Sequence, residues 1–308
     1  MSDIIFHHYP PSPVSEKVRL VFGMKGLSWA SVEENRLPDR PELFAMTGGY
    51  RRIPVMQIGA DIYCDTQCIF RVLEERFPEP TIMPNGIDGM PYALSRFTDS
   101  ELFGMAFRIA FAPVRDALPG ALVSDRARLY LGPNGDLAKE AADLPHTLAQ
   151  FRAMLGWVDD RIGNGLDFIL GENPSLPDAL IWSNYWLVRE RYPEAAGFLG
   201  EFTNLAEWAK RIEAVGHGTQ SDMTPAEALA IAKSSNPATP EQEDAYDPQG
   251  LKVGQAATVT PLTDSGESPV SGTIRAITRN QIALTLKNDD IGEVAVHFPR
   301  VGYRVDVT

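Results

Sequence analysis

Two cysteines in 308 residues, Cys64 and Cys68, are too few to build a disulfide framework. Four positions apart at what reads as a helix start, they are poorly placed to bridge each other, which points to a reducing compartment and to roles as small buried hydrophobes. The five histidines (7, 8, 146, 217 and 297) show no ligand spacing, so no metal site is expected. No stretch reaches the ~20 apolar residues of a membrane helix. The opening M-S-D-I-I lacks the basic and apolar regions of a signal peptide, and the expectation is a cytoplasmic protein without a membrane partner. Positive charge is also short: 28 Lys and Arg stand against 41 Asp and Glu, for a net −13. Nucleic acid is thereby excluded as an expected partner, because phosphate recognition needs clustered cations. G-x-S-x-G, H-E-x-x-H and P-loop patterns are missing too, which removes the familiar hydrolase and nucleotide-binding readings.

What remains is an ordinary globular composition, 44% hydrophobic and 22% charged, with length for two or three cores. Residues 1–84 alternate strand and helix signals. A β-type run at 4–6 leads into Y-P-P-S-P-V-S-E-K-V-R (residues 9–19) and a helical pattern at 18–25. Pro13 suits a first helical position, and Ser12 before it suits an N-cap. Hydroxyls at the positive end of a helix dipole suit an anion, and a thiolate is one. Further strand signals lie at 28–32 and 51–58, and Gly59-Ala60-Asp61 reads as a hairpin turn into 62–64. Asp65-Thr66 caps a helix at 67–76. Pro54 heads a strand-like run, so it is either an edge-strand proline in trans or a cis proline. His7 and His8 end the first strand on opposite faces, as structural histidines or with one toward a site.

Residues 85–217 lose strand alternation, and long helical patterns dominate at about 91–109, 144–162, 177–191 and 205–215. Ser175-x-x-Asp178 is a capping box that opens a helix apolar on most sides, the expected centre of an all-α bundle. Phe103, Phe107, Arg108 and Phe111 either line an acceptor pocket or belong to the core or a subunit interface. Residues 218–248 read as a linker with one short helix at 224–233. Residues 249–308 give five short strand patterns in sixty residues, at 256–262, 270–278, 281–287, 293–298 and 303–307. Such spacing suggests a small closed or half-open β-barrel-like domain, here without a basic or aromatic stripe.

Three local patterns together resemble the soluble glutathione transferase family over residues 3–217. Ser12-Pro13-Val14-Ser15-x-Lys17-Val18-Arg19 is similar to its active-site loop and first helix. Arg52-Ile53-Pro54-Val55 resembles the segment with its cis-proline, and Asp65-Thr66-x-x-Ile69 resembles the pair that grips the γ-glutamyl end of glutathione. The resemblance implies an α/β thioredoxin-like domain (1–84) and an all-helical domain (85–217), followed here by the linker (218–248) and the β-barrel-like domain (249–308). It also implies glutathione as co-substrate, a small hydrophobic electrophile and a homodimer. Ser12 is the implied thiolate donor, with Ser15 or Tyr9 as alternatives, and helix capping alone is the competing role for the serines. Ile53 would pair its backbone with the cysteinyl part, Asp65 would bind the γ-glutamyl ammonium, Thr66 its carboxylate, and Arg52 the glycyl carboxylate. With serine at both ends of S-P-V-S, cysteine-type thiol exchange is excluded there. The alternative function is a non-catalytic scaffold that docks a protein partner through residues 249–308.

Overall fold

A ten-stranded sheet runs through a computed structural model that describes residues 3–84, 89–263 and 265–308. Its first strands are β1 (Ile5–His8), β2 (Ser28–Glu33), β3 (Val55–Ile58) and β4 (Asp61–Cys64). β1 pairs in parallel with β2, and β3 lies antiparallel to both β1 and β4. Helices α1 (Pro13–Met24), α2 (Pro41–Thr47) and α3 (Thr66–Arg76) complete a thioredoxin-like layer. Every residue of β1 and β4 is buried, the polar His7, His8 and Asp61 included. The expected turn joins β3 to β4 through Gly59 and Ala60, with Gly59 at φ +60°.

The helical part contains α4 (Met90–Phe97), α5 (Phe103–Phe111), α6 (Gly120–Leu131), α7 (Leu137–Ala142), α8 (Leu144–Gly163), α9 (Leu176–Arg191), α10 (Ala195–Leu199) and α11 (Thr203–Val215). The single helix expected at 91–109 is interrupted: a π-turn over Thr98–Leu102 separates α4 from α5. In α9 the capping box forms as expected. Asp178 accepts from the Ser175 N–H and hydroxyl, the Ile169 N–H and the Trp208 indole. Phe107 and Phe111 are buried and packed ring on ring, which places them in the core, while Arg108 pairs with Glu140. Gly23 of α1 is held to glycine by a close approach, since a Cβ there would lie 2.0 Å from the Gly216 carbonyl oxygen.

Residues 219 onward group differently from a linker and a free-standing domain. β5 (Thr219–Asp222) pairs in parallel with β2, and α12 (Pro225–Ser234) follows with its own capping box. β6 (Ala256–Pro261), β7 (Val270–Ile277), β8 (Gln281–Asn288), β9 (Gly292–Pro299) and β10 (Tyr303–Val307) then form an antiparallel run in the order β10-β6-β7-β8-β9. β9 joins this run to β4 in parallel, so one sheet spans both segments. By packing, the chain up to Ser15, Ser28–Arg76 and Thr219–Thr308 form one compact unit; Glu16–Leu27 and Phe77–Gly218 form the second. The expected boundary at 84/85 falls on residues 85–88, outside the described residues. One apolar core explains the first grouping: Leu43, Val55 and Ile62 are buried together with Ile274, Leu284 and Phe298. Each such side chain contributes about 2 kcal/mol by leaving water.

Candidate glutathione-binding site

Strand register gathers the expected site residues at one end of the sheet. His7 pairs with Val55, and Val55 pairs with Cys64. Three chain segments therefore leave the sheet together: Tyr9 to Ser15 after β1, Arg52 to Pro54 before β3, and Asp65-Thr66 after β4. The Ile53–Pro54 peptide is cis.

In the first segment, the Ser12 N–H donates to the Tyr9 carbonyl at 3.0 Å, which tightens the turn. The Ser12 hydroxyl oxygen then accepts the Ser15 N–H at 3.1 Å and caps α1. That bond uses a lone pair and leaves the Ser12 hydroxyl hydrogen available to another acceptor. Ser12 and Ser15 are both buried, at 1% and 0% exposure, and the Ser15 hydroxyl has no hydrogen-bond partner. A buried, unpartnered hydroxyl at a helix N-terminus is a costly arrangement unless something else answers it. Tyr9 is buried beside this turn.

Asp65 sits at φ +71°, a left-handed conformation that its short polar side chain tolerates. One carboxylate oxygen accepts the Gln67 N–H at 2.9 Å, and the other accepts the Tyr303 hydroxyl at 3.1 Å. Thr66 is buried at the first position of α3. Arg52 departs from its expected position. Instead of standing open for a glycyl carboxylate, its guanidinium is forked onto Glu267, with Nε 2.7 Å from Oε1 and Nη2 on Oε2. Nη2 also donates to Thr263 (2.7 Å) and Ser265 (3.2 Å). Burial would lower the Arg52 pKa, but the Glu267 hydrogen bond and charge outweigh it and raise it.

The remaining candidates are structural. Burial, reinforced by the Asp65 charge, pushes both the Cys64 and Cys68 thiols well up, so neither is a ready nucleophile. His7 bonds Glu34 and Gln57, and His8 bonds Ser31, all within the buried layer. No group of three or more metal-ligating side chains is found among the described residues. No described helix is long and apolar enough to cross a membrane. The participants that sequence reasoning missed are Tyr303 and Glu267. Both come from beyond residue 217, where the resemblance ended, and no local signal ties them to Asp65 or Arg52.

Comparison with known proteins gives the same outline. The description "Glutathione S-transferase, N-terminal domain" matches residues 6–81, and "Glutathione S-transferase, C-terminal domain" matches residues 140–211. A GST-like protein from Pseudomonas syringae is 32% identical, with all of both chains covered and a TM-score of 0.81. A probable glutathione S-transferase from Solanum tuberosum is 29% identical over 86 residues, spanning 28% of this chain and 39% of that protein. A glutathione S-transferase of Ceriporiopsis subvermispora, solved in complex with glutathione, shares the fold at 19% identity. That match covers 69% of this chain and 97% of the other, with a TM-score of 0.55.

Proposed function

The chain belongs to the glutathione S-transferase family, and from that premise we propose that it is a glutathione-dependent transferase whose thiolate attacks a small hydrophobic electrophile. The observation that carries this reading is the strand register, which brings Ser12, the cis-Pro54 segment and Asp65 to one sheet end.

A free thiol has a pKa of about 8.5, so attack at neutral pH requires the thiolate to be favoured. Ser12 supplies a hydroxyl hydrogen for the sulfur, because its oxygen is already occupied by the Ser15 N–H. The N-terminus of α1 adds its partial positive charge. The unpartnered Ser15 hydroxyl is the observation that supports Ser15 as the alternative donor. The Ile53 backbone aligns the cysteinyl part, Asp65 receives the γ-glutamyl ammonium, and Thr66 donates to the adjoining carboxylate. In the step itself, the sulfur lone pair forms a bond to the electrophilic carbon. The leaving group departs with its electron pair; where the electrophile is an activated double bond, its π pair shifts to the distal atom, which then takes a proton from solvent. A cytoplasmic homodimer is the assembly this reading carries.

The scaffold alternative needs an apolar face on residues 249–308 for a partner. Most of that segment's apolar side chains, Ile274, Leu284, Val296 and Phe298 among them, are buried in the chain's own core, which weighs toward the enzyme. Leu262, Val301 and Val307 are the large ones left exposed among its described residues. Isothermal calorimetry with glutathione tests the proposal. Saturable binding with a thiolate absorbance at neutral pH is expected, and no binding at millimolar glutathione would sink it.

A further inference from the structure

Arg52 is the cation expected at the glycyl end of the tripeptide, yet an internal carboxylate holds it. Glu267 takes the Nε–Nη2 edge as a bidentate pair, and Thr263 and Ser265 crowd the same Nη2. Three acceptors compete for the two hydrogens of Nη2, so that edge has nothing left for a ligand. The Glu267 side chain is only 4% exposed and also accepts from the Ser265 hydroxyl, so it is a built partner and not a passing surface contact. A guanidinium already neutralised this way offers a second carboxylate neither a fork nor a net charge. The Glu267 carboxylate repels such a newcomer.

We propose that Glu267 is a specificity-determining residue that replaces the glycyl carboxylate on Arg52, so that the site accepts γ-glutamyl-cysteinyl thiols with a masked glycyl end as readily as free glutathione. The inference rests on the glutathione reading above and refines its substrate class: amides, esters and further-extended forms of the tripeptide become acceptable thiols. Arg52 and Glu267 then serve to fasten Thr263 and Ser265 beside the site.

The test uses the full chain and two thiols, glutathione and its ethyl ester formed at the glycyl carboxylate. Calorimetry on the wild type is expected to give dissociation constants within about twofold of each other. In Glu267→Gln the charge competitor is gone, and glutathione is expected to bind about tenfold tighter than the ester, the size of one charge-assisted pair. The double variant Arg52→Gln/Glu267→Gln carries no buried unpaired charge, and its ratio is expected to return to the wild-type value. It keeps the test decisive if Glu267→Gln alone folds poorly. A wild-type preference for glutathione of tenfold or more over the ester overturns this inference and leaves the glutathione reading intact. A preference that persists in the double variant has the same consequence. Failure of both thiols to bind every variant overturns the inference and the glutathione reading together.

Discussion

The Tyr303 hydroxyl donates to Asp65 Oδ2 at 3.1 Å, joining positions 238 residues apart in sequence. The Tyr50 hydroxyl lies 3.0 Å from the Tyr303 oxygen and completes a buried chain, Tyr50 to Tyr303 to Asp65. Burial, then the neighbouring negative charge, raises the pKa of Tyr50 well above the usual phenol value, so it remains a donor throughout the working range. This chain holds the Asp65 side chain from the side of the last strand.

Tyr303→Phe is therefore expected to cost about 1–2 kcal/mol of unfolding free energy. It removes one charge-assisted bond to Asp65 and leaves the buried Tyr50 hydroxyl without its acceptor. Urea denaturation monitored by fluorescence measures this. Stability equal to the wild type would show that the chain adds nothing.

The two loop serines should separate cleanly. Ser12→Ala removes the α1 cap and is expected to cost about 1 kcal/mol, while raising the pKa of bound glutathione. Ser15→Ala removes a buried hydroxyl that has no partner, so the ligand-free protein should be as stable as the wild type or up to about 1 kcal/mol more stable. Thermal melts of the free protein, paired with ultraviolet titration of the bound thiol, read both effects. A thiol pKa that moves only with Ser15→Ala would transfer the donor role to Ser15.

Much of this was legible in the residues because the signals are local. Ser12-Pro13 announces a capped helix, Gly59-Ala60-Asp61 a tight turn, and Ser175-x-x-Asp178 a capping box, and all three form as read. β5 was illegible for a physical reason. Its T-Q-S-D is polar and exposed throughout, so it pairs as an edge strand without apolar side chains and leaves no hydrophobic period to detect. The interruption after Phe97 buries Thr98 and Leu102, four positions apart as a continuous helix would also space them. The partners of Asp65 and Arg52 lie more than two hundred residues downstream, and the β4–β9 pairing and the shared core bring their segment near.

A different carboxylate sets an acid limit on the helical unit. Glu16 accepts from the Trp182 indole and the His217 ring at 3.0 Å each, and from Arg19 at 2.6 Å. Burial alone would push its carboxyl up; the His217 hydrogen bond and the Arg19 charge outweigh that and hold it down to about 2. A depressed acid stabilises the fold fully above its unfolded value near 4.5, and that contribution fades as pH falls toward 2. The loss through this group is on the order of 3 kcal/mol. Wild-type stability should drop between about pH 5 and about pH 2, and Glu16→Gln should flatten the drop. Urea midpoints across that window measure it, and identical slopes in both proteins would refute the assignment.

Asp178 is the corresponding element at the start of α9. Burial raises its pKa against four hydrogen bonds that favour the ionised form. Asp178→Ala strands the Trp208 indole and the Ile169 N–H in the interior, and a loss of about 3–5 kcal/mol is expected. Chemical denaturation gives the value directly. A loss under about 1 kcal/mol would mean that water replaces the carboxylate.

Truncation before residue 249 removes β6 to β10, and three consequences decide its outcome. Strand β4 loses the backbone bonds that β9 makes along 61–63, leaving an open edge prone to intermolecular pairing. Leu43, Val55 and Ile62 lose the apolar side chains of Ile274, Leu284 and Phe298 that now exclude water. Asp61, fully buried and 3.0 Å from the His297 ring, keeps only the Thr239 and Ala238 contacts. Each missing large side chain forfeits about 2 kcal/mol of burial, and a whole domain is stable by only about 5–15 kcal/mol. The shortened chain is therefore expected to aggregate or to melt without a cooperative transition, as size-exclusion chromatography and scanning calorimetry would show. If it melted cooperatively at the wild-type temperature, the thioredoxin-like layer would be self-sufficient. The shared core would then be only an attachment surface.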